Sequence, residues 1–149
     1  MSTAPNASIA AAQIFKLIEL ELREVEVRLK SEAICDLKLV DEMNQYLHES
    51  GGKRLRPGLL LLASKLCGAS MEASIQLGAV VEMIHVATLV HDDIIDNAAM
   101  RRGRKSVNAK WGSDMTVLFG DWLYMTAFWV ALKQRNFRIL DVLLSLIHI

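Results

Sequence analysis

The sequence has few chain-breaking residues and few cysteines: two Pro, eight Gly and two Cys among 149 residues. A protein built from short strands and tight turns needs more proline and glycine, so the composition favours long helices. Cys35 and Cys67 lack metal-ligand spacing and form no disulfide framework, which predicts two free, buried thiols. Basic and acidic residues number 17 each, so the overall charge indicates no nucleic-acid partner.

The first residues contain no basic segment followed by an apolar block, so the sequence predicts no secretory signal. Together with the free thiols, this favours a cytoplasmic protein. One stretch, 115–132, is apolar enough for a membrane span and holds a single charged residue, Asp121. A central aspartate costs about 2.5–3.5 kcal/mol on insertion, and the centre of a helical bundle also requires a mostly apolar helix. We therefore predict a core helix there rather than a transmembrane span.

Apolar residues, 52% of the total, recur at three- and four-residue spacing almost throughout, which is the period of amphipathic helices. The pattern predicts helices that begin near Ile14 and near Phe137, and further helices over 36–48, 57–66 and 71–96. Residues 98–113 are polar, contain two glycines, and are predicted to form a connecting loop. With no strand pattern and no internal repeat, we predict an all-α fold in one domain, 1–149.

The two ends of the chain carry separate expectations. Residues 1–12 are expected to be flexible. The C-terminal residues, DVLLSLIHI, stop in mid-helix with no cap or glycine, and an apolar helix cut there would expose a hydrophobic surface. We therefore expect the chain to be a fragment of a longer protein, with 143–149 a truncated or non-native tail.

The stretch HDDIID, 91–96, places three carboxylates directly after an apolar run. Asp92 and Asp96 lie on one helix face, with Asp93 one step round and His85 two turns back. Like charges repel at this spacing, and a helix C-terminus disfavours anions. One interpretation is a solvated helix end neutralised by the arginines that follow. The other, which we favour because the preceding run is apolar, is a Mg²⁺ site that carries a phosphorylated ligand.

Two basic groups accompany this cluster. GGKRLRP, 51–57, presents Lys53, Arg54 and Arg56 before a helix N-terminus, where backbone and guanidinium groups both attract phosphate. MRRGRK, 100–105, follows the aspartates. Alone, the first could be an exposed basic turn and the second simple neutralisation of the carboxylates. Together with the aspartates they predict two facing diphosphate sites in an apolar helical shell, and so a reaction between two diphosphate esters with apolar tails.

These motifs resemble those of the trans-isoprenyl diphosphate synthases, or polyprenyl synthetases: GGKRLRP, EMIHVATLVHDDIID, MRRG and FGDWLY. The resemblance covers about 37–142 and is strongest to the long-chain octaprenyl and solanesyl diphosphate synthases. It implies an antiparallel or orthogonal helical bundle around a central cavity, of which this chain would form about the N-terminal half. It also implies Mg²⁺-dependent, head-to-tail condensation of an allylic prenyl diphosphate with isopentenyl diphosphate.

The resemblance assigns a role to each matching position. The metal ligands would be Asp92 and Asp96, with Asp93 beside them. The side chains that hold isopentenyl diphosphate would be Lys53, Arg56, His85 and Arg102. Arg101 would contact the allylic diphosphate. Asp92, Asp96 and Arg101 would thus be the catalytic residues. The competing interpretation of His85 is a core histidine whose hydrogen bonds are satisfied within the fold.

Product length depends, in this family, on the side chains just before the first aspartate, where bulky groups block the tunnel for the growing tail. Ala87 and Thr88 occupy those places and neither is aromatic, so the resemblance implies a long product, geranylgeranyl or beyond. The alternative is that Ala87 only packs against a neighbouring helix.

The sequence departs from the family because it has no second DDxxD motif. We therefore expect the isolated chain to be inactive and its full-length parent to be active, as a homodimer. The rival hypotheses are a non-catalytic, small-subunit-like partner of a synthase and a plain helical scaffold. Such a partner need not keep every charged ligand, so the intact set favours a catalytic lineage.

Overall fold

The computed structural model describes residues 13–145 of the chain. Residues 13–16 are helical. The helices that follow are α1 Glu19–Glu32, α2 Lys38–Glu49, α3 Leu55–Leu66, α4 Met71–Ile95, α5 Val107–Trp111, α6 Ser113–Lys133 and α7 Phe137–Ser145. An antiparallel hairpin, β1 Met100–Arg101 and β2 Arg104–Lys105, lies between α4 and α5. The all-α prediction is confirmed, with this small hairpin as an addition.

Helix α4 lies at the centre and packs mainly against α6, and also against α3 and α1. A helix packed from several sides needs apolar residues on most of its faces, which explains its long apolar run. Two clusters of buried side chains surround it. One joins α4 to α1, α3, α6 and α7, and the other joins α4 to α2, α5 and α6, around Met43, Val90 and Phe119.

Helices α4 and α6 are each long and apolar enough to cross a membrane, judged by length and composition alone. In the fold, 56% of the most apolar part of α4 and 39% of that of α6 are buried. A core helix passes the same test, so this is weak evidence for a span. Ala127, Val130 and Ala131 of α6 are fully buried, whereas Met125 and Trp129 are exposed.

Two of the predictions are corrected by the structure, and a third concerns residues that lie mostly outside the described part of the chain. The expected loop over 98–113 contains the hairpin and the five-residue helix α5. These elements are too short to show a hydrophobic period in the sequence. Cys67 is exposed and Cys35 half-buried, so the prediction of two buried thiols is wrong. The expectation for 1–12 lies outside the described residues, as does 146–149 of the proposed tail; the rest of that tail belongs to α7.

Candidate active site

The acidic cluster lies at the C-terminal end of α4. Asp92 and Asp96 are exposed, and the backbone N–H of Asp96 donates to the carbonyl of Asp92 at 2.8 Å, which closes the helix. Asp93 is 1% exposed and points into the fold. The predicted trio therefore divides into two carboxylates available to a ligand and one that is enclosed by protein.

Asp93 is bound by Arg101, whose Nε donates to Oδ1 at 2.7 Å. Arg101 ends β1 and directly precedes the tight turn of the hairpin, in which Arg102 and Gly103 both have positive φ, 51° and 78°. The hydroxyl and the backbone N–H of Ser106 donate to the carbonyls of Ala98 and Ala99 and fix the base of the hairpin. Asp93 thus holds an arginine, and its place beside the metal ligands stays a prediction.

Tyr46 of α2 fixes the other side of the hairpin. Its hydroxyl donates to the carbonyl of Lys105 at 2.8 Å, and the Arg104 guanidinium lies 4.2 Å from its ring centroid. Arg104 also pairs with Glu49 at 2.9 Å. Sequence reasoning missed Tyr46 and Glu49, and no local signal could have found them, because Tyr46 and Lys105 are 59 residues apart.

The GGKRLRP turn and the hairpin tip share an open cleft. Lys53 and Arg56 are exposed and form no ion pair or hydrogen bond in the described part of the chain. Arg102 reaches across from the hairpin and donates to the carbonyl of Gly51. The cleft is lined by Ser50, Gly51, Gly52, Lys53, Arg54, Leu55, Arg56, Glu82, His85 and Arg102. The fold therefore gathers Lys53, Arg56, His85 and Arg102 at one surface beside the N-terminus of α3.

The guanidinium of Arg54 pairs with carboxylates of the protein. Arg54 has a left-handed backbone, φ 48°, and its guanidinium contacts Glu26 of α1 and Glu82 of α4, the latter at 2.8 Å. Burial alone would lower the pKa of Arg54, but the hydrogen bonds to Glu26 and Glu82 outweigh it and raise that pKa. Of the three cations in the motif, only Lys53 and Arg56 are therefore presented to solvent.

His85 is half-buried in the wall of the cleft. Burial lowers its pKa, Arg56 lowers it further, and Glu82 opposes both effects. The imidazole is therefore neutral at neutral pH, with one nitrogen that donates and one that accepts. A neutral ring among arginines can add a hydrogen bond to an anion without adding charge.

Ala87 and Thr88 lie in different surroundings. Ala87 is fully buried and clusters with Met43, Val90 and Phe119. Thr88 is exposed, and its hydroxyl donates to the carbonyl of His85 at 2.7 Å. Ala87 thus packs against neighbouring helices, and the roles of Ala87 and Thr88 in product length stay predictions.

The FGDWLY motif of α6 lies against the residue that precedes the aspartates. His91 Nε2 is 3.4 Å from Asp121 Oδ1 and 3.4 Å from the carbonyl of Val117. A Cβ on Gly120 would lie 2.3 Å from the same nitrogen, so the ring needs a glycine there. The motif thus provides the close approach of α6 to the end of α4 that carries the aspartates.

Two carboxylates one helical turn apart suit Mg²⁺, which often takes only one or two from protein and fills its other positions with water and phosphate. Between residues 13 and 145, no group of three or more His, Cys, Asp or Glu side chains is arranged to hold a metal. The donor set therefore fits an ion shared with a phosphorylated ligand rather than one enclosed by protein.

The same residues fall within a known family. Residues 37–148 match the family described as polyprenyl synthetase. This chain belongs to the polyprenyl synthetase family. Among curated relatives, it is 31% identical over 137 residues to octaprenyl diphosphate synthase from Escherichia coli, covering 92% of this chain and 42% of that protein. It is 42% identical to geranylgeranyl diphosphate synthase from Saccharolobus solfataricus, covering 72% and 32%.

Solved structures of the family have the same fold. The chain matches a decaprenyl diphosphate synthase from Rhodobacter capsulatus with a TM-score of 0.85 and 32% identity, covering 90% of this chain and 42% of that one. It matches a polyprenyl synthase from Caulobacter crescentus with a TM-score of 0.86 and 32% identity, covering 90% and 41%. The chain thus spans about a third to two fifths of the length of these relatives.

Proposed function

We propose that the whole protein is a trans-polyprenyl diphosphate synthase that condenses an allylic prenyl diphosphate with isopentenyl diphosphate, head to tail, to give a longer polyprenyl diphosphate. The observation that carries the proposal is a single cleft in which Lys53, Arg56, His85 and Arg102 converge, beside a helix end with two exposed carboxylates. The Caulobacter relative was solved with calcium and isoprenyl diphosphate, which supports a cation and a diphosphate as ligands.

In this proposal Asp92 and Asp96 hold Mg²⁺. When bound, Mg²⁺ would supply positive charge to the leaving diphosphate of the allylic substrate. Arg101 contacts the same diphosphate through its terminal nitrogens, since its Nε is taken by Asp93. Asp93 is then a positioning partner of Arg101.

Isopentenyl diphosphate occupies the basic cleft. Arg56 and Arg102 offer planar, two-point donors to its phosphates, and Lys53 offers a compact charge. The N-terminus of α3, with Pro57 as its third residue, adds its partial positive charge on the same side. His85 contributes one uncharged hydrogen bond.

The apolar shell of the site protects the reaction from water and takes up the growing tail. We propose that Ala87 and Thr88 lie along the path of that tail and, because both are small, permit a product of geranylgeranyl length or longer. We also propose that the whole protein acts as a homodimer in the cytoplasm.

A non-catalytic, small-subunit-like partner is the other function open to a member of this family. Such a partner would have no need for two exposed carboxylates and a complete set of diphosphate-binding side chains. Their joint presence favours a catalytic lineage. The second aspartate-rich motif of the family is absent from this chain, so we propose that the isolated 149 residues do not turn over.

The test is incorporation of isopentenyl diphosphate into longer product by the full-length protein, with and without Mg²⁺. Asp92→Asn and Asp96→Asn should each lower kcat by about a hundredfold or more, since transition-state charge loses its stabilisation. Asp36→Asn is the control, because Asp36 is exposed and forms no ion pair in the described part of the chain. Unchanged turnover in both site variants would overturn the metal assignment, and no Mg²⁺-dependent product at all would favour the non-catalytic partner.

A further inference from the structure

Arg54 lies within the diphosphate-binding turn, yet its charge is used inside the fold. Its guanidinium is held between Glu26 and Glu82, which come from two different helices. The side chains of Arg54 and Glu82 are only 15% and 5% exposed. An ion pair so shielded resists rearrangement, because either charge left alone would be buried without compensation.

Arg54 is also the residue at which the turn enters α3. Its φ of 48° falls in the left-handed region, which residues with a side chain rarely adopt, and Leu55 follows it as the first helical residue. Such a conformation persists where surrounding contacts determine it strongly. The two carboxylates supply those contacts from outside the turn.

The same guanidinium forms a surface on which the preceding backbone rests. A Cβ on Gly52 would lie 2.8 Å from Arg54 Nη1 and 3.3 Å from Arg102 Nη1, so a side chain there would have to displace one of the two guanidinium groups. Lys53 is therefore set between two fixed points, Gly52 and Arg54. Since the Lys53 side chain has no partner in the described part of the chain, only its backbone position is fixed, and its neighbours fix it.

We propose that Arg54 is a positioning residue for the isopentenyl diphosphate cleft. Clamped by Glu26 and Glu82, it fixes the backbone that directs Lys53 and Arg56 toward the substrate, without contacting the substrate. This inference depends on the proposed function of the cleft.

Steady-state kinetics of the full-length protein, with each substrate varied in turn, test the inference. Arg54→Gln and the benchmark Lys53→Gln should each raise the KM for isopentenyl diphosphate about tenfold, because the first misplaces and the second removes the charge-assisted contact of Lys53. The KM for the allylic substrate should stay nearly unchanged. Arg23→Gln is the matched control, since it removes an exposed ion pair to Glu19 on α1 and should change neither KM.

A second variant keeps the test decisive if Arg54→Gln does not fold. Glu26→Gln leaves Arg54 paired with Glu82 and should raise the same KM by a smaller factor. If Lys53→Gln raises the KM for isopentenyl diphosphate while the two clamp variants, Arg54→Gln and Glu26→Gln, behave like Arg23→Gln, the role of Arg54 is overturned and the proposed function stands. A fall in kcat and thermal midpoint without a selective KM change shows a merely structural role and also overturns it. No effect of Lys53→Gln or of the clamp variants overturns both proposals.

Discussion

Arg101 donates from Nε to Oδ1 of Asp93 at 2.7 Å, and this bond ties the hairpin to the last turn of α4. The Asp93 side chain is 2% exposed and the Arg101 side chain 31%. The carboxylate has therefore lost nearly all of its water, whereas the guanidinium has kept part of its own. Asp93 consequently depends on Arg101 for compensation more than Arg101 depends on Asp93.

Arg101→Gln should lower the free energy of unfolding by about 3 kcal/mol, because it leaves a buried carboxylate without a cation. The double variant Arg101→Gln with Asp93→Asn should recover much of this loss, since a neutral amide is then buried instead of a charge. Urea unfolding followed by circular dichroism measures both. A loss no larger than that of Arg23→Gln, whose ion pair is exposed, would contradict the expectation.

The long helices could be predicted because apolar residues recur along them at three- and four-residue spacing. Helix α4 begins at Met71, as predicted, and ends at Ile95, one residue early. The hairpin could not be predicted, because two-residue strands are too short to show a period of two. Its pairing depends instead on positive φ at Arg102 and Gly103, which neither residue type demands by itself.

The site could be predicted by motif but not by orientation. The letters KRLR give no indication that Arg54 faces inward while Lys53 and Arg56 face outward. That division follows from Glu26 and Glu82, each 28 residues from Arg54 along the chain. Local patterns carry no information about partners so distant. The Asp93–Arg101 bond, by contrast, spans only eight residues, and pairing of the carboxylates with the arginines that follow was one of the two interpretations of the sequence.

Whether Gly120→Ala stabilises or destabilises the protein should depend on the residue at position 91. Gly120→Ala should displace the His91 ring and lower stability by about 1 kcal/mol, because overpacking costs about 1–3 kcal/mol and removal of a mid-helix glycine returns about 1. In a His91→Ala background the clash is gone, so the same change should stabilise by up to about 1 kcal/mol. Thermal unfolding of the four proteins measures the reversal. Destabilisation of similar size in both backgrounds would refute the steric explanation.

The stability of the protein should fall on mild acidification. Burial lowers the pKa of both His48 and His85, and the charges of Arg54 and Arg56 respectively lower them further. The two histidines therefore bind protons at a higher pH in the unfolded chain than in the folded chain. Their contribution to the free energy of unfolding is fully present above about pH 6.5, and it declines as the pH falls from there to the lowered pKa values of the folded state. Urea midpoints across this range measure the decline. His48→Gln should flatten part of it, and an equal decline in the variant would exclude His48 as a source.

Ala87 and Thr88 separate the effects of packing and of product length. Ala87→Phe adds a ring to a fully buried position and should lower stability by about 1–3 kcal/mol, whereas Thr88→Phe adds it at an exposed position and should not. If both positions face the path of the tail, both variants of the full-length protein should give a shorter polyprenyl product, measured by mass spectrometry of the dephosphorylated alcohols. Thr88→Ser keeps the hydroxyl, adds no bulk, and should leave the length unaltered. If both Thr88→Phe and Ala87→Phe gave a product of unchanged chain length, the tail would pass elsewhere.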